Sequence, residues 1–218
     1  MSPNPLNLGS VMCLTRDDPK LNHFEQIETL VNAGAQLIQL RAKSIPSYEL
    51  YVQAKQAIEL TKKNNCKLII NDHFELAKEI NADGVHLGMK DAPVEYVRRQ
   101  LAPGTLIGKT IHSKEDALIG VSENPDYFGL GPYRHSSTKK ELLPVLTDEN
   151  FISIIGILNP IPVFLIGGLT LEDLPLVDQF NIQGIALCSA LYSGNETDIQ
   201  KVFEKSSLFE QTLNFSCP

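Results

Sequence analysis

The feature that most constrains this chain is an alternation, repeated eight times, between a short apolar run and a longer segment with helical spacing. This alternation is typical of parallel sheets, in which a helix returns the chain to the same edge after each strand. The predicted strands are Val11–Thr15, Leu37–Leu40, Leu68–Asn71, Gly84–Leu87, Leu106–Ile111, Tyr127–Leu130, Val163–Ile166 and Gly184–Leu187. The predicted helices are Phe24–Ala33, Ser47–Asn64, Phe74–Ile80, Val94–Leu101, Lys114–Val121, Asp148–Leu158, Leu171–Asp178 and Glu196–Phe203.

The number and the character of the strands predict how the sheet closes. Runs such as Leu68–Ile70 and Phe164–Ile166 are apolar on both sides of the pleat, as expected of parallel strands covered by helices. Eight such units in 218 residues predict an α/β protein, a compact (β/α)₈ TIM barrel forming a single domain over residues 1–218 with a C-terminal tail from about residue 206. A doubly wound open sheet is the alternative, because periodicity does not reveal closure.

Composition excludes several classes of partner. Lys and Arg number 19 against 26 Asp and Glu, a net charge of -7, and no basic cluster exceeds a pair, so a nucleic-acid partner is not expected. No apolar stretch approaches the roughly 20 residues of a membrane span. The N-terminus has neither a secretory nor a transit pattern, and we therefore expect a cytoplasmic protein.

The cysteines do not indicate a metal or redox site. The four cysteines are Cys13, Cys66, Cys188 and Cys217. Their spacing matches neither a zinc pattern nor a redox pair, so we expect reduced and mostly buried thiols.

In a TIM barrel the functional residues lie at the carboxyl ends of the strands, and polar side chains follow the second predicted strand. Strand alternation places Gln39, Arg41 and Lys43 on one side. Desolvating two cations without a counter-charge costs several kcal/mol per ion, so these residues predict an anionic ligand. The alternatives are a solvated strand end or an arginine that pairs with a structural carboxylate.

Two carboxylates follow the next two strands. Asn71 and Asp72 come directly after the third strand, and Asp91 follows the fourth. Mg²⁺ takes one or two protein carboxylates and completes its octahedron with water and phosphate oxygens, so this sparse pair predicts a magnesium site. The alternative is that Asp72 caps the following helix. His86 is interpreted as a hydrogen-bonded interior histidine in preference to a metal ligand.

The last three strands are followed by residues suited to phosphate. A loop after the sixth strand carries hydroxyls beside lysines at Ser136–Lys139, which predicts an anion cradle, although a solvated loop has similar composition. Gly167–Gly168 and Cys188–Ser189 follow the seventh and eighth strands. TIM barrels often bind phosphate there on backbone N–H groups, whereas the glycines alone are also consistent with a simple turn.

Six segments together resemble the thiamine-phosphate synthase family, over about Val11 to Leu191. The segments are QLRAK at Gln39–Lys43, IIND at Ile69–Asp72, ADGVHLGMKD at Ala82–Asp91, GKTIHSKEDA at Gly108–Ala117, GLGPYRHSSTKK at Gly129–Lys140 and IGG at Ile166–Gly168. The chain departs from the family pattern at Thr110, where serine is usual, and at His135 and Ser136, where proline and threonine are frequent.

The resemblance implies a magnesium-dependent transferase of alkyl or aryl groups. It would join 4-amino-2-methyl-5-hydroxymethylpyrimidine diphosphate to 4-methyl-5-(2-phosphoethyl)thiazole, with the carboxylated thiazole also accepted, and release pyrophosphate. The diphosphate would leave before the thiazole nitrogen attacks. No protein general base is then required, because that nitrogen carries its own lone pair.

The resemblance also implies a role for each site residue. The implied contacts of the pyrimidine diphosphate are Gln39, Arg41, Lys43, Asn71 and Thr110. Asp72 and Asp91 would bind the metal, and Arg41, Lys43 and Lys139 would act on the leaving group. The implied contacts of the thiazole phosphate are Ser136, Ser137, Thr138, Gly168, Cys188 and Ser189.

Two other functions remain open from the sequence. A thiazole tautomerase of the same superfamily would transfer a proton through His112 or His135. A non-catalytic phosphate-ligand sensor is the other alternative, since fold does not determine function. The sequence is compatible with a homo-oligomer.

Overall fold

The protein is a closed barrel of eight parallel strands. The computed structural model describes residues 8–18, 20–134, 146–192, 200 and 203–204. The strands pair in chain order and the last pairs with the first, so the predicted TIM barrel is confirmed and the open sheet is excluded. The strands are β1 Val11–Leu14, β2 Leu37–Leu40, β3 Lys67–Asn71, β4 Gly84–Leu87, β5 Leu106–Ile111, β6 Tyr127–Leu130, β7 Val163–Ile166 and β8 Gly184–Leu187.

Helices cover the outside of this barrel. They are α1 His23–Asn32, α2 Ser47–Lys63, α3 Phe74–Ile80, α4 Val94–Gln100, α5 Lys114–Glu123, α6 Asp148–Leu158 and α7 Leu176–Phe180, with 3₁₀ turns at Leu171–Asp173 and Ser189–Tyr192. The helix predicted over Leu171–Asp178 is therefore wrong as a single element, because Pro175 lacks the N–H that a continuous helix needs there. The predicted helix Glu196–Phe203 lies mostly outside the described residues.

Apolar side chains form two layers, one inside the barrel and one between the sheet and the helices. In β3, Ile69 points into the barrel while Leu68 and Ile70 pack against the helices, and all three are fully buried. Burying one such side chain contributes about 1.5–3 kcal/mol. This burial on both faces explains why the strands are continuous apolar runs.

Gly108 gives the barrel interior room for a large aromatic ring. A Cβ at this position would lie 2.1 Å from Cζ of Tyr127, its partner on β6. The neighbouring Lys109 faces the helices, where its buried ammonium pairs with Glu123 at 3.3 Å. The β5 residue that reaches the open end of the barrel interior is therefore Thr110.

The described cysteines are free thiols. Cys13 and Cys66 are buried and Cys188 is partly buried, as expected, while Cys217 lies outside the described residues. Burial, with a smaller contribution from Asp83, raises the pKa of Cys66 to about 12. Among the described helices, none has the length and apolarity needed to cross a membrane.

Candidate active site

A cavity of about 140 Å³ opens at the carboxyl ends of the strands. Its apolar lining comes from the barrel interior and consists of Met12, Leu14, Tyr127, Phe164, Ile166 and Ala186. Its polar lining side chains are Gln39, Arg41, Lys43, Asn71, Asp72, His86, Thr110 and His112. The predicted convergence of Gln39, Arg41, Lys43, Asn71, Asp72 and Thr110 is therefore present in the structure.

The end of β2 presents two cations in different electrostatic situations. Lys43 forms an ion pair with Asp72. Arg41 forms no ion pair with any carboxylate in the described residues, so the alternative of a structural partner has no support there. Gln39 is 3% exposed, and its Nε2 has only a weak contact with Met12 Sδ at 3.4 Å. An anionic ligand would supply the missing counter-charge.

The end of β3 contains a buried donor without a partner. Asn71 is 6% exposed and lines the cavity, yet its Nδ2 makes no hydrogen bond within the described part of the chain. Leaving a buried donor unpaired costs about 1–3 kcal/mol. A ligand acceptor in the cavity would remove this cost.

Asp72 occupies a left-handed backbone conformation with φ of 64°. Such a conformation costs of order 1–3 kcal/mol in a residue other than glycine and is concentrated at functional sites. Its N–H donates to the carbonyl of His86 at 2.8 Å, which ties the end of β3 to β4. Asp72 does not cap α3, because the helix begins after His73 without a side-chain cap.

Asp91 is anchored to the rim of the same opening. The N–H of Gly88, which lines the cavity, donates to Asp91 Oδ2 at 2.6 Å. Asp72 and Asp91 therefore follow neighbouring strands at the same end, although Asp91 does not itself line the cavity. No group of three or more His, Cys, Asp or Glu suited to a metal occurs in the described residues. The donor set consists of two carboxylates, which suits a cation that keeps water and phosphate oxygens as ligands.

His86 connects the cavity to the barrel interior. Its Nε2 lies 2.9 Å from Thr110 Oγ1 and its Nδ1 lies 3.1 Å from the Tyr127 hydroxyl. Burial raises the pKa of Tyr127, so the hydroxyl stays protonated. His86 is thus the hydrogen-bonded interior histidine that its sequence context favoured, and it holds the Thr110 hydroxyl at the cavity.

His112 also lines the cavity, at the end of β5. Its Nδ1 lies 2.5 Å from the carbonyl oxygen of Gly131, so Nδ1 is the donor in that contact. Its backbone N–H donates to Asp116 Oδ2 at 2.9 Å. In the neutral ring, Nε2 is then the nitrogen without a proton.

The ends of β7 and β8 provide backbone in place of charged side chains. Gly167 and Gly168 have φ of 107° and 63°, and a Cβ at Gly167 would lie 2.7 Å from Pro132 Cα. Gly168, Cys188 and Ser189 follow these strands at the same end of the barrel but do not line the cavity. Burial raises the pKa of Cys188 despite the opposing charges of two nearby arginines, so its thiol stays protonated.

An ion pair not predicted from the sequence anchors the start of the loop after β6. Arg134 donates to both carboxylate oxygens of Asp173, at 2.8 and 2.7 Å. These hydrogen bonds hold the pKa of Asp173 below its usual value. Asp173 also accepts from the backbone N–H of Thr170 at 2.8 Å. The Thr-x-x-Asp spacing, a variant of the capping box, predicts the contact of Asp173 with Thr170 but not its ion pair with Arg134.

The predicted anion cradle of that loop lies outside the described residues. Ser136, Ser137, Thr138 and Lys139 belong to it, as does His135. Their implied roles stay predictions.

The fold and the cavity define a (β/α)₈-barrel protein with a polar cavity at the carboxyl ends of its strands. Residues 11–191 match the family model described as thiamine monophosphate synthase. The chain therefore belongs to this family of enzymes, and the resemblance found in the sequence is confirmed.

Individual relatives agree with the family model. The thiamine-phosphate synthase of Bacteroides thetaiotaomicron is 36% identical over 186 residues, which cover 84% of this chain and 89% of the relative. That of Dictyoglomus thermophilum is 34% identical over 199 residues, covering 90% and 86%. The solved thiamine phosphate pyrophosphorylase from Pyrococcus furiosus superposes with a TM-score of 0.78 at 26% identity, covering 91% of this chain and 95% of that one.

Proposed function

We propose that the protein is a thiamine-phosphate synthase that condenses the pyrimidine diphosphate with the thiazole phosphate and releases pyrophosphate. Family membership supports the reaction class. The observation that carries the proposal is that Arg41, without a carboxylate partner in the described residues, and the unpaired amide of Asn71 face one cavity. These are the groups that a diphosphate would satisfy.

In this proposal the β2 and β3 ends bind the first substrate. Arg41, Lys43 and Asn71 would donate to the diphosphate, while Gln39 and Thr110 would contact the pyrimidine ring. The ammonium of Lys43, held by Asp72, would neutralise negative charge as it develops on the departing group. The apolar lining of the cavity would exclude water from the reacting carbon.

Asp72 and Asp91 are the residues that would hold Mg²⁺, and their oxygen chemistry suits that ion. When bound, Mg²⁺ would neutralise charge on the diphosphate oxygens.

The second substrate would react because the protein holds its thiazole nitrogen in position. The thiazole nitrogen needs no general base, so a Ser-His-Asp arrangement is not required. Holding that nitrogen near the reacting carbon is worth up to about 7–11 kcal/mol when the alignment is good. Its phosphate, with the carboxylated thiazole also accepted, would be bound by Ser136, Ser137, Thr138, Gly168, Cys188 and Ser189, while Lys139 would reach the leaving group.

The test is a turnover assay of the purified chain with both substrates, with and without Mg²⁺. We expect thiamine phosphate and pyrophosphate in equal amounts, and formation of both should depend on Mg²⁺. Isomerisation of the thiazole without coupling, as in a tautomerase using His112, would contradict the proposal. Binding of both ligands without any product, as in a sensor, would contradict it as well.

A further inference from the structure

A buried histidine outside the cavity takes part in a hydrogen-bond network that the proposed reaction does not use. His23, the first residue of α1, is 2% exposed. Its Nδ1 lies 2.8 Å from Thr15 Oγ1, and its Nε2 lies 3.2 Å from Asp17 Oδ1. Its backbone N–H donates to Gln53 Oε1 at 2.8 Å, which ties the start of α1 to α2.

This network also holds the chain where β2 ends. The N–H of Arg41 donates to Thr15 Oγ1 at 2.9 Å, and the N–H of Lys43 donates to Asp17 at 3.2 Å. β2 ends at Leu40, so both N–H groups lie beyond its last residue. Side chains from the β1–α1 segment therefore fix the backbone from which the two cations project into the cavity.

The donors and acceptors are consistent with a neutral histidine. Thr15 Oγ1 accepts from Arg41 and can donate its own proton to Nδ1 of His23, whose Nε2–H then donates to Asp17. Burial lowers the pKa of His23, and the facing carboxylates of Asp17 and Glu49 only partly oppose this. Glu49 is held on α2 by Gln53 Nε2 at 3.0 Å. Every hydrogen-bonding position of the imidazole is used in this arrangement.

We propose that His23, acting through Thr15 and Asp17, is a positioning residue that sets the direction in which Arg41 and Lys43 enter the cavity. This inference rests on the proposed function, because it gives the two cations the diphosphate as their ligand. It assigns a role to three residues that do not line the cavity. The network would reduce the cost of ordering two flexible side chains when the ligand binds.

The test is calorimetric binding of inorganic pyrophosphate in the presence of Mg²⁺. Thr15→Val removes the hydroxyl with little change in shape, and we expect the dissociation constant to rise at least about fivefold, since small misplacements of binding groups are costly. Thr15→Ser retains the hydroxyl, so the dissociation constant should stay within about twofold of the wild-type value. His23→Phe retains a ring but removes both side-chain hydrogen bonds, and should weaken binding as Thr15→Val does.

Thr61→Val is the matched control, because it also removes the hydroxyl of a buried threonine but does so away from the network. Thr61 is fully buried in α2, and its hydroxyl donates only locally, to the Ile58 carbonyl at 3.3 Å. We expect Thr61→Val to change thermal stability without changing pyrophosphate binding. Weakening of binding as large as that of Thr15→Val would overturn the proposal, because general destabilisation would then explain both.

A second arm tests whether Thr15 acts through Arg41. In an Arg41→Ala background, Thr15→Val should weaken pyrophosphate binding by less than about twofold, because the group that it positions is gone. A loss as large as in the wild-type background would overturn the proposal. If the wild-type chain makes thiamine phosphate and Thr15→Val binds pyrophosphate normally, only this inference fails. If the wild-type chain makes no product, the proposed function itself fails.

Discussion

The two halves of the barrel opening provide their polar groups in different ways. The β2–β5 half uses side chains, with Arg41, Asn71 and Thr110 facing the cavity. The β7–β8 half uses glycine backbone at Gly167–Gly168 and the protonated thiol of Cys188. Charged side chains suit a ligand whose charge grows as it leaves, whereas backbone N–H groups suit a phosphate that keeps its charge throughout. Under the proposed function, the β2–β5 half would bind the diphosphate and the β7–β8 half would bind the phosphate of the thiazole.

The largest expected effect is on the free energy of unfolding, after a substitution in the β7–β8 half of the opening. Gly167→Ala should lower the free energy of unfolding by about 2–3 kcal/mol, because a side chain is strained at φ of 107° and would meet Pro132. Chemical denaturation measures this loss. Gly156→Ala is the control, since its Cβ meets nothing within 4 Å in α6, and it should stabilise by about 0.5–1 kcal/mol. Equal effects in the two variants would show that Gly167 has no special conformational role.

The next largest expected effect is on turnover, after a substitution in the β2–β5 half of the opening. Asp72→Ala or Asp91→Ala should reduce magnesium-dependent turnover at least about tenfold, which corresponds to about 1.4 kcal/mol in the barrier. Steady-state kinetics over a range of Mg²⁺ concentrations measure this loss. Asp178→Ala on the exposed surface of α7 is the control and should leave turnover unchanged. Wild-type rates in both site variants would refute the assignment of the metal ligands.

A third prediction separates binding from folding within the same half. Asn71→Leu removes an unpaired buried donor, so the ligand-free protein should be equally stable or more stable by up to about 1 kcal/mol. Pyrophosphate binding should weaken in the same variant, because the amide is lost as a donor to the ligand. Thermal unfolding with and without pyrophosphate measures both quantities. A variant that is destabilised but binds normally would assign Asn71 a structural role.

The smallest expected effect is a change in how the free energy of unfolding depends on pH. Burial lowers the pKa of His23 below its ordinary value of 6.5, so below that pH the unfolded chain takes up a proton more readily than the folded one. The wild-type chain should therefore lose stability as pH falls through this region, and His23→Gln should lack that loss. The difference in unfolding free energy between the two should narrow from about pH 7.5 to about pH 5.5. A difference that is constant or widens would mean that His23 is not held neutral.

Sequence periodicity predicted the fold in detail because most strand residues are apolar on both faces and the strands alternate with segments of helical spacing. Six of the eight strands have their predicted bounds, and β1 and β3 differ by one residue at one end. The helix over Leu171–Asp178 failed locally because Pro175 interrupts the pattern. The spacing of apolar residues and the positions of helix-breaking residues thus predict where helices and strands begin and end, when both signals are strong.

The sequence predicted which residues gather at the strand ends, but not the individual contacts that join one strand to another. Alternation alone places Gln39, Arg41 and Lys43 together. The contact between His86 and Tyr127 joins residues 41 apart, and the contact between Arg41 and Thr15 joins residues 26 apart. Such pairs depend on the register between strands, which becomes known only once the barrel closes.

The most direct test of the account is a crystal structure of the protein with pyrophosphate and Mg²⁺. We expect pyrophosphate to contact Arg41, Lys43 and the Asn71 amide, with the ion bound by Asp72 and Asp91. Pyrophosphate bound only at Gly168 and Ser189, with the cations of β2 directed away from it, would contradict the account.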